Sequence, residues 1–382
     1  MRNSIFSLPR TVWLLGLVSL FNDGASELVY AILPLFIAGM AGPGAMGIIE
    51  GVAEATGSLL KLFSGMLSDR LNAGKGLVVG GYGLASLAKP LMAFAASWPV
   101  VLFLRFADRL GKGLRTSPRD AMLALSVDKE KRGLAFGFHR SMDNAGAVFG
   151  PLMAAYLLAI HVPIRHVLLW SAIPGAIAVS LALFLKAPER APSVSAKIEW
   201  SLAGFSAPFR RYLAVLALFT LGNSSNLFLL LRAKDLGLQD YQVPLLWALV
   251  SFSAMLFSTP FSALSDRIGR ARLIIWGWVI YGLFYLVMGF DGTPMLLWPL
   301  FAFYGLFMAA TEGAEKAYVA DFAPTDKLGT AYGWFNLVTG FFLLPASLFF
   351  GWFWQHFSYP FAFAFSAGCA LLSSLLLKFW VK

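Results

Sequence analysis

Long apolar runs fill most of the chain and leave only short polar intervals between them. Twelve runs stand out, at 12–38, 46–67, 76–96, 98–120, 132–159, 164–186, 211–232, 242–264, 272–290, 295–320, 328–355 and 359–380. A helix needs about 20 apolar residues to cross the hydrocarbon of a bilayer, and the runs have about that length. Polar residues inside them recur at three- and four-residue steps, the repeat of a helix rather than the alternation of a strand. The intervals are too short for the long external loops of a membrane barrel. The pattern predicts an all-α integral membrane protein with twelve transmembrane helices.

Composition agrees. Of 382 residues 58% are hydrophobic and 13% charged, with 35 Phe, a balance that no water-soluble globule of this size could keep on its surface. The expected partner of most side chains is therefore the lipid bilayer. Lys and Arg gather in alternate intervals, among them Arg70, Lys75, Lys129, Lys131, Arg190, Lys197, Arg210, Arg267 and Lys327. The opposite side shows little beyond Arg165, Arg232 and Lys234. Cytoplasmic loops collect such residues, so both termini are expected in the cytoplasm. The same bias accounts for the net charge of +10 and removes nucleic acid as an expected partner. The single cysteine, Cys369, excludes a disulfide framework and thiol metal clusters. The first run carries Asn22, Asp23 and Glu27 and is expected to be an uncleaved span.

Between the sixth and seventh runs the chain turns polar, with Pro188, Pro192 and Pro208. This predicts an N-terminal six-helix bundle over 1–186, a cytoplasmic linker over 187–210 and a C-terminal six-helix bundle over 211–382. The halves echo each other. Gly65-Met-Leu-Ser-Asp69-Arg70 after the second run matches Ser262-Ala-Leu-Ser-Asp266-Arg267 after the eighth, and Gly133-Leu-Ala135-Phe-Gly137-Phe matches Gly329-Thr-Ala331-Tyr-Gly333-Trp. Two pseudo-symmetric six-helix bundles are a common way to build a midplane site that faces either side.

These residues resemble the major facilitator superfamily along the whole chain. Gly65-x-x-x-Asp69-Arg70 with Lys75 is similar to its loop motif between spans two and three. Arg109-Leu-Gly-Lys112-Gly113 is similar to its Arg-x-x-Gln-Gly motif, with Lys112 in place of Gln. Gly146-x-x-x-Gly150-Pro151 resembles the motif associated with antiporters, although Ala154-Ala155 stands where Gly-Gly often completes it. The run from Asp108 through Arg115-Thr-Ser-Pro118-Arg119-Asp120 resembles a bacterial subgroup, which implies a cytoplasmic (inner) membrane. The resemblance implies a secondary transporter that works as a monomer on a small-molecule substrate.

Ionisable groups at membrane depth cost roughly 3 kcal/mol or more unless paired or hydrated, so each needs a reason. Ser19, Asn22, Asp23, Ser26, Glu27 and Tyr30 share one face of the first span, and Glu50, Glu54 and Lys61 one face of the second. Arg105, Asp108, Arg109, Lys112, Arg115 and Arg119 form a continuous ionised face of the fourth, and Arg140, Asp143 and Asn144 lie in the fifth. These spans are expected to converge on a polar cavity in the N-terminal half. Asp23, Glu27, Glu54 and Arg109 are assigned to coupling. Asn22, Arg105, Asp108, Lys112, Arg140, Asp143 and Asn144 are assigned to substrate binding, with Asn223, Asn226, Glu312 and Glu315 from the C-terminal half. The competing reading, that the ions only hold helices together, stands beside the functional one for Arg105, Asp108 and Arg140. Lys61 and Lys89 are expected to snorkel or to be paired in place, and Glu312 is spaced for an ion pair with Lys316.

At the cytoplasmic ends Asp69, Arg70 and Asp120 are expected to form a gating latch, with Asp266 and Arg267 as its repeat. Asp69 is also placed to sit on a helix N-terminus of the other half.

The expected function is alternating-access transport of a polar or charged small molecule, driven by a proton or cation gradient with no cofactor. Proton-coupled export is the first reading. Coupled uptake of an organic anion or metal chelate uses the same parts, and a channel or receptor is the reading from another class. No His-Glu-x-x-His run and no Gly-x-x-x-x-Gly-Lys-Ser/Thr loop occurs, so neither a zinc enzyme nor a nucleotide-driven pump is expected.

Overall fold

The computed structural model describes residues 5–38, 40, 49, 57, 60–69, 74–186, 201–224, 226–238, 242–290 and 292–381. Within these the chain is α-helical, and the helices follow the order of the expected runs. They are α1 (Arg10–Ala38), α2 (60–69), α3 (Gly74–Leu91), α4 (Trp98–Leu125), α5 (Arg132–Ala159), α6 (Ile164–Trp170) and α7 (Ala172–Leu183). After the linker come α8 (Ala207–Gly222), α9 (Leu227–Asp235), α10 (Gln242–Ile268), α11 (Arg270–Phe290), α12 (Leu297–Phe322), α13 (Leu328–His356) and α14 (Tyr359–Phe379). Among the described residues eight helical segments are long and apolar enough to cross a membrane.

Three helices start on one local device. Ser97, Ser206 and Ser358 each occupy the N-cap with extended backbone, and each is followed two residues later by proline. Proline in the first turn lacks only an N–H that would have no partner there. The Ser206 and Ser358 hydroxyls accept from the N–H of Phe209 and Phe361, both at 3.4 Å.

Two expected spans are interrupted. The sixth divides at Ser171, whose hydroxyl donates to Leu168 O at 2.6 Å; Pro174, with no N–H to give, sits in the first turn of α7. The seventh divides after Gly222, where Asn223 leaves helical geometry at φ −93° and ψ 77°. Asn223-Ser-Ser-Asn226 is a run of side chains that compete for backbone hydrogen bonds, and hydropathy alone does not register it.

The chain forms two compact units. The first comprises Met1–Asp128, Met142–Glu199 and Pro324–Leu337, the second Lys129–Ser141, Trp200–Ala323 and Val338–Lys382. In the first unit, Val29, Ile32, Leu33 and Phe36 of α1 pack with Met92, Val101, Val167 and Leu168. There α3 and α4 touch at Gly81 and Gly111, where a Cβ on Gly81 would lie 2.6 Å from Gly111 O. The second unit is built on stacked rings: Phe219 lies on Trp278 with centroids 4.5 Å apart, and Tyr281 on Tyr285 at 4.2 Å. Phe103, Leu183, Leu283, Phe341 and Leu348 remain exposed, which is stable only against lipid.

Candidate transport site

Positions 105, 108, 112, 115 and 119 of α4 are three or four residues apart, so one helical face presents them all. In the first unit that face meets α1 and α3. Asp108 receives Arg105 at 3.0 Å and Lys89 at 3.6 Å, and Lys89 also donates to Asn22 Oδ1 at 3.2 Å. Lys89 is 1% exposed, so it is paired in place. Asn22 passes the contact on, its Nδ2 donating to Asp23 at 2.8 Å. From α5, Asp143 accepts from the Ser19 hydroxyl of α1. Asn144 is buried, and its Nδ2 meets no hydrogen-bond acceptor among the described residues.

The remaining cations are placed differently along the helix. Arg105 lies 5.5 Å from the Tyr30 ring and Arg115 4.3 Å from the Tyr82 ring, both within cation–π range. Arg119 grips the neighbouring Asp120 through two N–H groups, at 3.1 and 2.9 Å. Lys112 is exposed and Arg109 half-buried, and both lie within electrostatic reach of Glu27. The first unit thus holds interior ion pairs, with the less buried cations Arg109 and Lys112 near the α1 carboxylates. Glu50 and Glu54 lie outside the described residues.

Small residues of the α4 motif fix its position. Ser64 donates to Gly113 O at 2.8 Å, Ser117 to Lys61 O at 2.7 Å, and Asn336 Nδ2 to Ser117 Oγ at 3.4 Å. A Cβ on Gly113 would lie 2.6 Å from that of Leu60, so this run sets how closely α4 approaches α2.

In the second unit Glu312 accepts from Arg140 of α5. Glu315 accepts from Trp278 Nε1 at 3.0 Å, and Asn226 Oδ1 from the Tyr304 hydroxyl at 2.9 Å. Asn223 ends α8, and Tyr281 donates to the adjacent Gly222 O at 2.8 Å.

The two repeated aspartates do the same thing in different places. Asp69 accepts from the N–H groups of Gly329 and Thr330 at 3.0 and 2.6 Å and from the Thr330 hydroxyl at 2.8 Å. Asp266 accepts from the N–H groups of Gly133 and Leu134, both at 2.9 Å. Each carboxylate closes a helix N-terminus, α13 and α5 respectively, where orphan donors and the helix dipole favour negative charge. Of the other expected latch residues, Asp120 accepts from Arg119, and Arg70 lies outside the described residues. Arg267 is exposed. Arg270 instead reaches Asp266 at 3.1 Å, pairs with Asp321 and donates to Lys129 O. Sequence reasoning missed Arg270 and Asp321; the i,i+4 spacing of Asp266 and Arg270 was the available signal.

The sequence profile described as Major Facilitator Superfamily matches residues 13–239 and 212–382. The chain belongs to this superfamily. An uncharacterized MFS-type transporter of Methanocaldococcus jannaschii is 33% identical, over 97% of this chain and 95% of the relative. Multidrug resistance protein MdtH of Citrobacter koseri is 24% identical over 76% of this chain and 73% of its own. Among solved structures the human organic anion transporter MFSD10 superposes with a TM-score of 0.83 at 16% identity, covering 97% of this chain and all of the other. A bacterial homologue of the iron transporter ferroportin gives 0.77 at 18% identity over 97% and 99%. At such identities the superpositions carry the fold alone. As a member of the major facilitator superfamily the chain is a multi-pass secondary transporter that moves a small molecule through the bilayer, and it is not an enzyme.

Proposed function

We propose that the chain is a proton-coupled exporter that exchanges protons for a small molecule with an anionic group. The observation that carries this reading is the α4 face. Arg109 and Lys112 are its less buried cations and lie within electrostatic reach of Glu27. Cations held near protonatable carboxylates can trade a substrate anion against a protonation change. Arg109 and Lys112 are assigned to the anionic group, and Asp23, Glu27 and Glu54 to the proton. Arg140, Glu312, Glu315, Asn223 and Asn226 are assigned to the C-terminal half of the site. The Gly146–Pro151 run and the name of the MdtH relative favour export, and the organic-anion name of the MFSD10 fold neighbour favours the substrate class.

The Asp69 and Asp266 caps are proposed as latches. A helix end held by a carboxylate must let go when its side of the transporter opens, and two such caps can be exchanged between states. The protein is further proposed to act as a monomer in the cytoplasmic membrane, with both termini inside.

Flux into proteoliposomes tests the reading, with a panel of radiolabelled organic anions, drugs and siderophores. Saturable transport driven by an opposing proton gradient is expected, and Arg109→Ala should weaken anion binding at least tenfold. Flux in the direction of the proton gradient would make it a symporter. An ohmic current with no saturation would discard the carrier altogether.

A further inference from the structure

α1 and α5 cross with their backbones in contact because glycine faces the crossing twice. A Cβ on Gly146 would lie 2.5 Å from Leu20 O and 3.1 Å from the Cβ of Asp23, and one on Gly150 2.7 Å from Gly24 O and 3.0 Å from the Cβ of Glu27. Asp143 precedes Gly146 by one turn on the same face, and its carboxylate takes the hydroxyl of Ser19 on α1. Asp23 is one turn beyond Ser19. The crossing therefore brings the carboxylates of Asp23 and Asp143 within electrostatic reach of each other.

Their surroundings are charged on several sides. Lys112 and Arg115 of α4 and Lys89 of α3 lie within electrostatic reach of Asp23, with Glu27 next on α1. Arg119 of α4 lies within electrostatic reach of Asp143. Three of these cations have other engagements: Arg119 with Asp120, Lys89 with Asp108 and Asn22, and Arg115 with the Tyr82 ring. Two ionised carboxylates within reach of each other, Asp143 buried and Asp23 half-buried, repel, whereas one proton held between them removes the repulsion and leaves a single negative charge for the cations.

We propose that Asp23 and Asp143 form a carboxylate pair that holds one proton between them, and that this proton is the one exchanged in the transport cycle. On release the O–H bond of the pair breaks, the proton passes to water on the open side, and both carboxylates are left ionised beside Arg115 and Arg119. Pro151, which lacks the N–H that would tie it to Ala147, lets α5 bend directly beyond Gly150 and so part from α1. The inference rests on the proton-coupled reading above.

Infrared difference spectra of the purified full-length protein, in ordinary and heavy water, test the pair without any substrate. The parent should show the carbonyl stretch of a protonated carboxylic acid. Asp23→Asn and Asp143→Asn should each remove the intensity of one carboxyl, and the double variant should remove no more. A shared proton predicts that either partner's loss frees the other to ionise, so a band unchanged in either single variant overturns the pair. Ser19→Ala keeps both carboxylates and loses a donor; the same band should move, and an unmoved band counts against the assignment. Transport separates the two readings. Flux indifferent to the proton gradient, with the band behaving as described, sinks the coupled reading and leaves the pair. Gradient-driven flux with an unchanged band sinks the pair alone.

Discussion

Lys89 and Asp108 meet at 3.6 Å with 2% and 5% of their side chains exposed. An ion pair so deep stabilises little as a pair, but it is costly to break, because the survivor is left charged and dry. Lys89→Ala is expected to cost about 3–5 kcal/mol of stability, read as a lower melting temperature in detergent. Asp108 keeps Arg105 at 3.0 Å, so Lys89→Met, which restores the packing without the charge, should recover part of that loss. A Lys89→Met variant as unstable as Lys89→Ala would mean that the charged contacts of Lys89 with Asp108 and Asn22, not its packing, are what matter.

The α1–α5 crossing distinguishes two glycines that sequence treats alike. A Cβ on Gly146 would press on Leu20 O at 2.5 Å, whereas one on Gly24 meets nothing within 4 Å. Gly146→Ala is expected to destabilise by about 1–3 kcal/mol through overpacking. Gly24→Ala should be neutral or stabilising by roughly 0.5–1 kcal/mol through helix propensity. Thermal unfolding of the two variants side by side decides the matter, and equal melting temperatures would contradict the crossing.

Asp69 and Asp266 each protect a specific pair of amides. Asp69→Ala should speed hydrogen exchange in peptides that cover Gly329 and Thr330 and leave Gly133 and Leu134 unchanged; Asp266→Ala should do the converse. Asp69→Asn keeps an acceptor oxygen and should show the smaller effect, since it loses only the charge that complements the helix dipole. Uniform exchange across all variants would remove the caps from any gating role.

Arg140 and Glu312 are about one third exposed, at 32% and 27% of their side chains. Screening limits such a pair to about 1 kcal/mol of coupling. Their expected importance is to transport: each single charge reversal should lower flux, and Arg140→Glu with Glu312→Arg should restore part of it. A swap no better than the worse single variant would show that position matters more than pairing.

Much of this architecture could be read from hydropathy and spacing, because a helix that crosses lipid must declare itself in about 20 residues and a polar face must repeat every three or four. The α4 face from Arg105 to Arg119 was visible in this way. Breaks within spans were not: Asn223 leaves helical geometry after Gly222, and Ser171, with its hydroxyl on Leu168 O, divides the sixth span, and neither alters apolar content. Pairing across helices was the least visible. Lys89 is expected to snorkel or to be paired in place, and only the approach of α3 to α4 at Gly81 and Gly111 shows that Asp108 is its partner. Nor does spacing point from Glu312 to Arg140, 172 residues away, from which it accepts.

Cys369 lies 8% exposed on α14, and a Cβ on Gly222, the last residue of α8, would come 2.5 Å from its Cβ. It is the only thiol in the chain, so the native protein carries its own single-site chemical reporter. Maleimide should remain unreacted while α8 and α14 stay packed, and the rate at which it is consumed clocks their separation without any engineered label.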